Sequence, residues 1–134
     1  MITVETHVNA PLETVWASWN QPEHIQNWCQ ASPDWHAPHA ENDLRVGGNF
    51  KTVMAAKDGS FSFDFGGVYD VVVMHERIAY TMADGRKAII TFSEKEGGVA
   101  IVESFDPETQ NPEEMQQQGW QAILNSFKAY TESL

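Results

Sequence analysis

The chain reads as an α+β domain in which a curved, six-stranded antiparallel sheet holds one long carboxy-terminal helix, with two short helices after the first strand. Three observations predict it. Residues 107–134 carry Trp120, Ile123, Leu124, Phe127, Tyr130 and Leu134 at spacings of three and four, which places them in one apolar stripe of a helix. At the other end of the chain, Ile2, Val4, Thr6 and Val8 alternate with Thr3, Glu5 and His7, as a strand with one buried face does. Between them, Asp58-Gly59, Asp84-Gly85 and Gly97-Gly98 separate runs rich in β-branched and aromatic residues, as hairpin turns do.

Taken in order, the first strand is followed by Pro11, which opens a short helix with Leu12, Val15, Trp16 and Trp19 on one face. Asn20 and Gln21 interrupt it, and Pro22 starts a second helix with Ile25, Trp28 and Cys29 on one side. Residues 30–42 hold Pro33 and Pro38 and no periodicity, and read as a loop. Five strands follow, at 44–56, 60–75, 77–83, 86–95 and 99–105, and their short links make them antiparallel. Gly47-Gly48 and Gly66-Gly67 offer places for the first two of these strands to bend. In the last helix, Asn111 reads as the cap and Pro112 as the first position, with Glu113 and Glu114 in the first turn, where a carboxylate favours the helix dipole. A sheet gripping a helix with Trp, Phe and Tyr on its stripe is a helix-grip arrangement. It either packs solid or encloses a hollow.

With 134 residues, no linker and no repeat, residues 1–134 read as a single domain. The net charge of −11, with eight basic residues scattered from Arg45 to Lys128, argues against nucleic acid and against anionic membrane surfaces. Cys29 is the only cysteine, so no internal disulfide forms and a reducing compartment fits. Met1 to Glu5 lack the basic start of a signal peptide, and no apolar stretch has transmembrane length, so a cytoplasmic location is expected.

Several segments resemble a known family in the family's own order. They are Ala10-Pro11-Leu12-Glu13-Thr14-Val15-Trp16, Pro22-Glu23-His24 through Trp28, Asp43-Leu44-Arg45-Val46-Gly47-Gly48-Asn49-Phe50, Glu76-Arg77-Ile78-Ala79-Tyr80-Thr81, and Gly119-Trp120 with Leu124. Together they resemble the START-like superfamily, and within it the branch named for the carboxy-terminal domain of the activator of the heat-shock-protein-90 ATPase. The resemblance implies the helix-grip fold over nearly the whole chain. It implies no single activity, because lipid carriers, hormone receptors and polyketide cyclases share the fold.

The resemblance places the face of the last strand that carries Ile101, Glu103 and Phe105 under the long helix. A carboxylate at Glu103 would there be desolvated and would serve as an acid/base or as an anchor for a polar ligand group. If Ala100, Val102 and Ser104 faced inward instead, Glu103 would sit in water. Phe61, Phe63, Phe65, Tyr69 and Val71 repeat along one strand face, and with Phe50, Tyr80, Phe92 and Trp120 they give an aromatic interior suited either to an apolar ligand or to a filled core. Asp34-Trp35-His36 reads as a gate near the mouth of the cup or as a loop pinned by one tryptophan. His24, Cys29, His36 and His39 match no zinc spacing, and no Walker loop, GxGxxG or GxSxG occurs, so neither a metal nor a cofactor is expected.

The expected site is therefore Phe63, Tyr69, Tyr80, Glu103, Trp120 and Leu124, around a small apolar or amphipathic molecule held between sheet and terminal helix. Two alternatives stand beside it. One is a cyclase- or dehydratase-like enzyme using Glu103 or His36 in the same cavity. The other is a co-chaperone-like domain acting through its outer surface. A homodimer is compatible with all three.

Overall fold

The computed structural model describes all residues from Met1 to Leu134. Its order is β1 (Ile2–Val8), α1 (Leu12–Asn20), α2 (Pro22–Trp28), β2 (Trp35–Asn42), β3 (Asn49–Ala56), β4 (Ser62–Val73), β5 (Arg77–Met82), β6 (Lys87–Lys95), β7 (Gly98–Phe105) and α3 (Glu113–Glu132). The strands form one antiparallel sheet of seven, ordered β1-β7-β6-β5-β4-β3-β2. The first strand thus closes against the last, and α1 and α2 cross between the two edges.

The seventh strand corrects the expected six. Residues 35–42 are not a loop: they pair with β3 from Trp35↔Ala56 to Asn42↔Phe50, with the register shifting between His36 and His39. Pro38 falls inside that shift. Proline cannot donate to a ladder, and an edge strand with an irregularity is where a sheet tolerates it. The two prolines hid the strand because its alternation is broken there. Trp35 and His36 are therefore strand residues, and Trp35 is half-buried against Phe61 and Phe63, with ring centroids 6.0 Å away in each case.

Gly47-Gly48 is a turn rather than a bend within a strand. It joins β2 to β3 with Gly47 at φ +82°, a conformation that favours glycine. Its backbone is stitched to β4, Gly47 N–H donating to the Tyr69 carbonyl at 2.9 Å and Tyr69 N–H to that of Gly48 at 3.0 Å. At Gly66-Gly67 the ladder runs on, and the irregularity comes later, between Tyr69 and Val71. The extra residue, Asp70, sends Val71 to the outer face opposite Ala79 and brings Val72 inward opposite Ile78, so Val71 leaves the aromatic row in which it was expected. A Cβ at Gly67 would lie 2.4 Å from the Thr81 carbonyl oxygen, which is backbone and cannot swing aside. Gly67→Ala is accordingly expected to force β4 from β5 and to lower stability by about 2–3 kcal/mol, read as a fall in the urea midpoint at unchanged slope.

At the start of α3 the cap position falls on Pro112, one residue later than the expected Asn111, and no side chain caps it. Gln116 does the fastening: its amide accepts from Glu108 N–H at 2.9 Å and donates to the carbonyls of Glu108 at 3.1 Å and Asn111 at 2.8 Å. At the other end Leu134 lies beyond the helix and is exposed, and the last buried residue of α3 is Thr131.

The solid core sits at one end. Phe127 packs edge-on against Trp19 and Trp28, at 4.9 and 5.0 Å between ring centroids, and Trp19 and Trp16 both meet Phe92. The Trp28 indole donates to the Ser18 carbonyl at 2.8 Å, locking α2 onto α1. The nearest backbone neighbours of α3 are β1, α2 and α1. The inner face of β3, β4 and β5 therefore has no helix lying directly on it.

Candidate functional site

A hollow of about 590 Å³ lies between the inner face of the sheet and the helices, with α3 along one side, and 15 of its 24 lining residues are hydrophobic. All six residues expected from the sequence border it. Their settings differ. Tyr69, Tyr80, Glu103 and Leu124 are buried, Trp120 is half-buried, and Phe63 is 43% exposed at the mouth, beside Phe61 at 60%.

Strand register explains the walls. Glu103 stands between Val4 of β1 and Ile90 of β6, both on the inner face. In the next row, Phe105, Ala88, Tyr80 and Tyr69 follow one another across β7, β6, β5 and β4. Trp120 stacks flat on Phe105, ring centroids 3.8 Å apart, so the helix is anchored over β7. Tyr80 is wedged edge-on to Phe50 at 4.7 Å, and Phe65 meets Trp120 at 5.8 Å.

The polar groups fall into two kinds. The Tyr69 hydroxyl donates to Asn42 Oδ1, Asn42 Nδ2 donates to the Asn20 carbonyl at 2.7 Å, and Asn20 Nδ2 to that of Trp16 at 3.0 Å. That chain ties sheet to helices and is internally satisfied. Glu103 is different. It is 7% exposed, no cation or hydrogen-bond donor of the protein reaches its carboxyl, and burial pushes it up to about 8, so the group is a neutral acid at pH 7. The Tyr80 hydroxyl likewise lacks a protein partner, and burial, then the nearby Glu103, raise it well above the ordinary phenol range. Cys29 also borders the hollow, but burial pushes its thiol up to about 12, which leaves it protonated and a poor nucleophile.

Some expected partners are elsewhere. His36 does not border the hollow, so a proton relay from His36 in that space has no geometric basis. His24 is taken up by the Tyr130 hydroxyl, and His39 pairs with Glu41 at 3.2 Å. Phe92, expected in the aromatic interior, belongs to the solid end. Conversely, Phe50, Asn42, Arg86, Gln116 and the Glu108–Asn111 segment border the hollow without having been named as site residues. Gln116 was findable, four residues before Trp120 on the same helical face. Asn42 was not, because the register shift around Pro38 leaves its strand without a readable period.

A sheet curled round one long helix, closed by two short ones and hollow beneath the helix, is the START-like helix-grip domain. The chain belongs to the family of activator of Hsp90 ATPase homolog 1-like proteins, whose profile matches residues 9–132. It is similar to a protein from Cytophaga hutchinsonii of known solution structure, with 63% identity over 98% of this chain and 92% of that one, and a TM-score of 0.84. An AHSA1-like protein from Aeromonas hydrophila shares 44% identity over 98% and 92% of the two chains, with a TM-score of 0.93. A protein from Chromobacterium violaceum shares 29% identity over 98% and 96%, with a TM-score of 0.83. No curated protein matches the chain. No helix is long and apolar enough to cross a membrane.

Proposed function

We propose that this protein binds a small, largely apolar molecule in the hollow between its sheet and α3. The observation that carries the reading is the hollow itself: about 590 Å³ with mostly hydrophobic walls is the size and character of a small-molecule site. The aromatic rings of Phe63, Tyr80 and Trp120 with Leu124 supply contact area, at roughly 25 cal/mol per Å² buried, and Glu103 orients one polar group. Tyr69 serves as wall and strut, since its hydroxyl is already engaged by Asn42.

The family's name refers to activation of the Hsp90 ATPase. A co-chaperone role for this chain would act through its outer surface and would not need the hollow. A cyclase- or dehydratase-like activity would need it, with Glu103 as the acid. The ligand reading comes before both, because it requires only the space and the walls.

Tetralin, an apolar bicyclic hydrocarbon, is the simplest probe. Titrated into labelled protein, it is expected to shift the Trp120 indole and Leu124 methyl resonances while leaving Phe127 at the solid end unmoved. Trp120→Ala is expected to weaken binding about tenfold by removing wall area. Saturating tetralin with no shift at Trp120 or Leu124 overturns the reading.

A further inference from the structure

Two titratable side chains buried at the hollow have no protein partner, the Glu103 carboxyl on β7 and the Tyr80 hydroxyl on β5, and the Thr52 hydroxyl on β3 borders it likewise. Glu103 and Tyr80 lie in adjacent cross-strand rows of the inner face, near enough for the charge of Glu103 to bear on Tyr80. Each is nine-tenths buried or more, at 7% and 6% exposed. Such groups are costly unless something pairs with them.

No element packed around them supplies that partner. From β1 and β6, Val4 and Ile90 flank Glu103. From β4, Tyr69 gives its proton to Asn42. From the end of α2, Cys29 is a protonated thiol. Ahead of β6, the Arg86 guanidinium is held by Asp84 at 2.7 Å and reaches the Asp106 carbonyl at 3.5 Å. From α3, Gln116 spends its amide on the Glu108–Asn111 segment, and Trp120 and Leu124 are apolar walls. The site thus has donors with no protein partner in apolar surroundings, while the charged groups at its border are already paired: Arg86 with Asp84, Glu41 with His39 and Lys51, and Glu108 with the Asn111 N–H.

We infer that Glu103 and Tyr80 together hold a hydrogen-bond acceptor, the carbonyl oxygen of an otherwise apolar ketone or ester, inside the hollow. The inference rests on the ligand reading of the same hollow and specifies its polar group. Burial keeps Glu103 protonated below about pH 8, and a carboxylic acid kept neutral by an apolar site is a donor. An ammonium group would need the ionised form, which the same burial disfavours, and would leave the Tyr80 proton unpaired. One carbonyl oxygen has two lone pairs and can accept from both groups.

The test uses three molecules of one shape: tetralin, tetralone and aminotetralin, titrated by NMR into the wild-type protein, E103Q and Y80F. At about pH 6.5, tetralone is expected to bind wild type about tenfold more tightly than tetralin. That advantage is expected to disappear by about pH 9.5, where Glu103 has lost its proton. E103Q, whose amide still donates, keeps the advantage at both pH values, and Y80F loses about threefold of it while retaining the pH dependence. Equal affinity for tetralin and tetralone at the lower pH, or a preference for aminotetralin that grows as pH rises, overturns the donor pair while leaving the ligand reading intact. Failure of all three molecules to bind overturns both.

Discussion

Between about pH 5 and pH 8 the wild-type protein is expected to lose several kcal/mol of stability that Glu103→Gln does not lose. The cause is a proton count. Folded Glu103 holds its proton to about 8, whereas in the unfolded chain the carboxyl returns to its ordinary value of 4.5. Across that interval the unfolded state binds fewer protons than the native state, so stability falls as pH rises. The native advantage of the neutral acid is fully present below the unfolded value and is gone above the folded one. At 1.36 kcal/mol per unit, the difference grows from below ~1 kcal/mol at pH 5 to about 3 at pH 7 and about 4 at pH 8. Glutamine is nearly isosteric with the protonated acid and does not titrate, so subtracting its curve removes the histidines and the general charge repulsion of a −11 protein. Urea unfolding of the two proteins at four pH values gives the answer. Parallel curves would mean that the carboxylate is already satisfied in the folded state, and the neutral-donor argument would fall with it.

The buried acid was legible from sequence only as one of two registers. Alternation in 99–105 puts either Ile101, Glu103 and Phe105 or Ala100, Val102 and Ser104 inward, and a slip of one residue exchanges them. The structure takes the first, because Ile101 and Phe105 are wholly buried and bring Glu103 with them. The long helix was legible because Trp120, Leu124 and Phe127 repeat at the helical period and all meet the interior. The strand at 35–42 was not. An edge strand with a proline inside a register shift has no period to read, and its pairing is fixed by β3, which is distant information as far as local pattern is concerned. Asp70 shows the same limit: one inserted residue moved Val71 outward, and nothing in the spacing of Phe61, Phe63, Phe65, Tyr69 and Val71 announces a bulge. Composition made the aromatic interior legible, but whether the aromatics fill space or surround it depends on where the helix lands.

That distinction sets the last prediction, a pair of truncations of the same residue type. Phe127→Ala is expected to cost about 3–5 kcal/mol, and Phe63→Ala under ~1 kcal/mol. Phe127 has no exposure and touches both Trp19 and Trp28, so its removal leaves a cavity that the Trp28 ring, held by its hydrogen bond to the Ser18 carbonyl, cannot collapse into. Phe63 is 43% exposed, and its nearest ring contacts, with Trp35 at 6.0 Å and Phe61 at 6.1 Å, are at the mouth. Little water-excluded area is lost with it. Binding should respond in the opposite sense, Phe63→Ala weakening tetralin about threefold at unchanged fold, because the ring covers a bound molecule from the open side. Thermal or urea unfolding of each variant, with a tetralin titration of Phe63→Ala, separates the two ends. If Phe63→Ala proved as destabilising as Phe127→Ala, the mouth would be core and the space behind it closed. A large cost at the tryptophan end with a small one at the mouth is what a domain does when its stability lies under α1, α2 and the second half of α3, leaving the first half of α3 free to roof an open chamber.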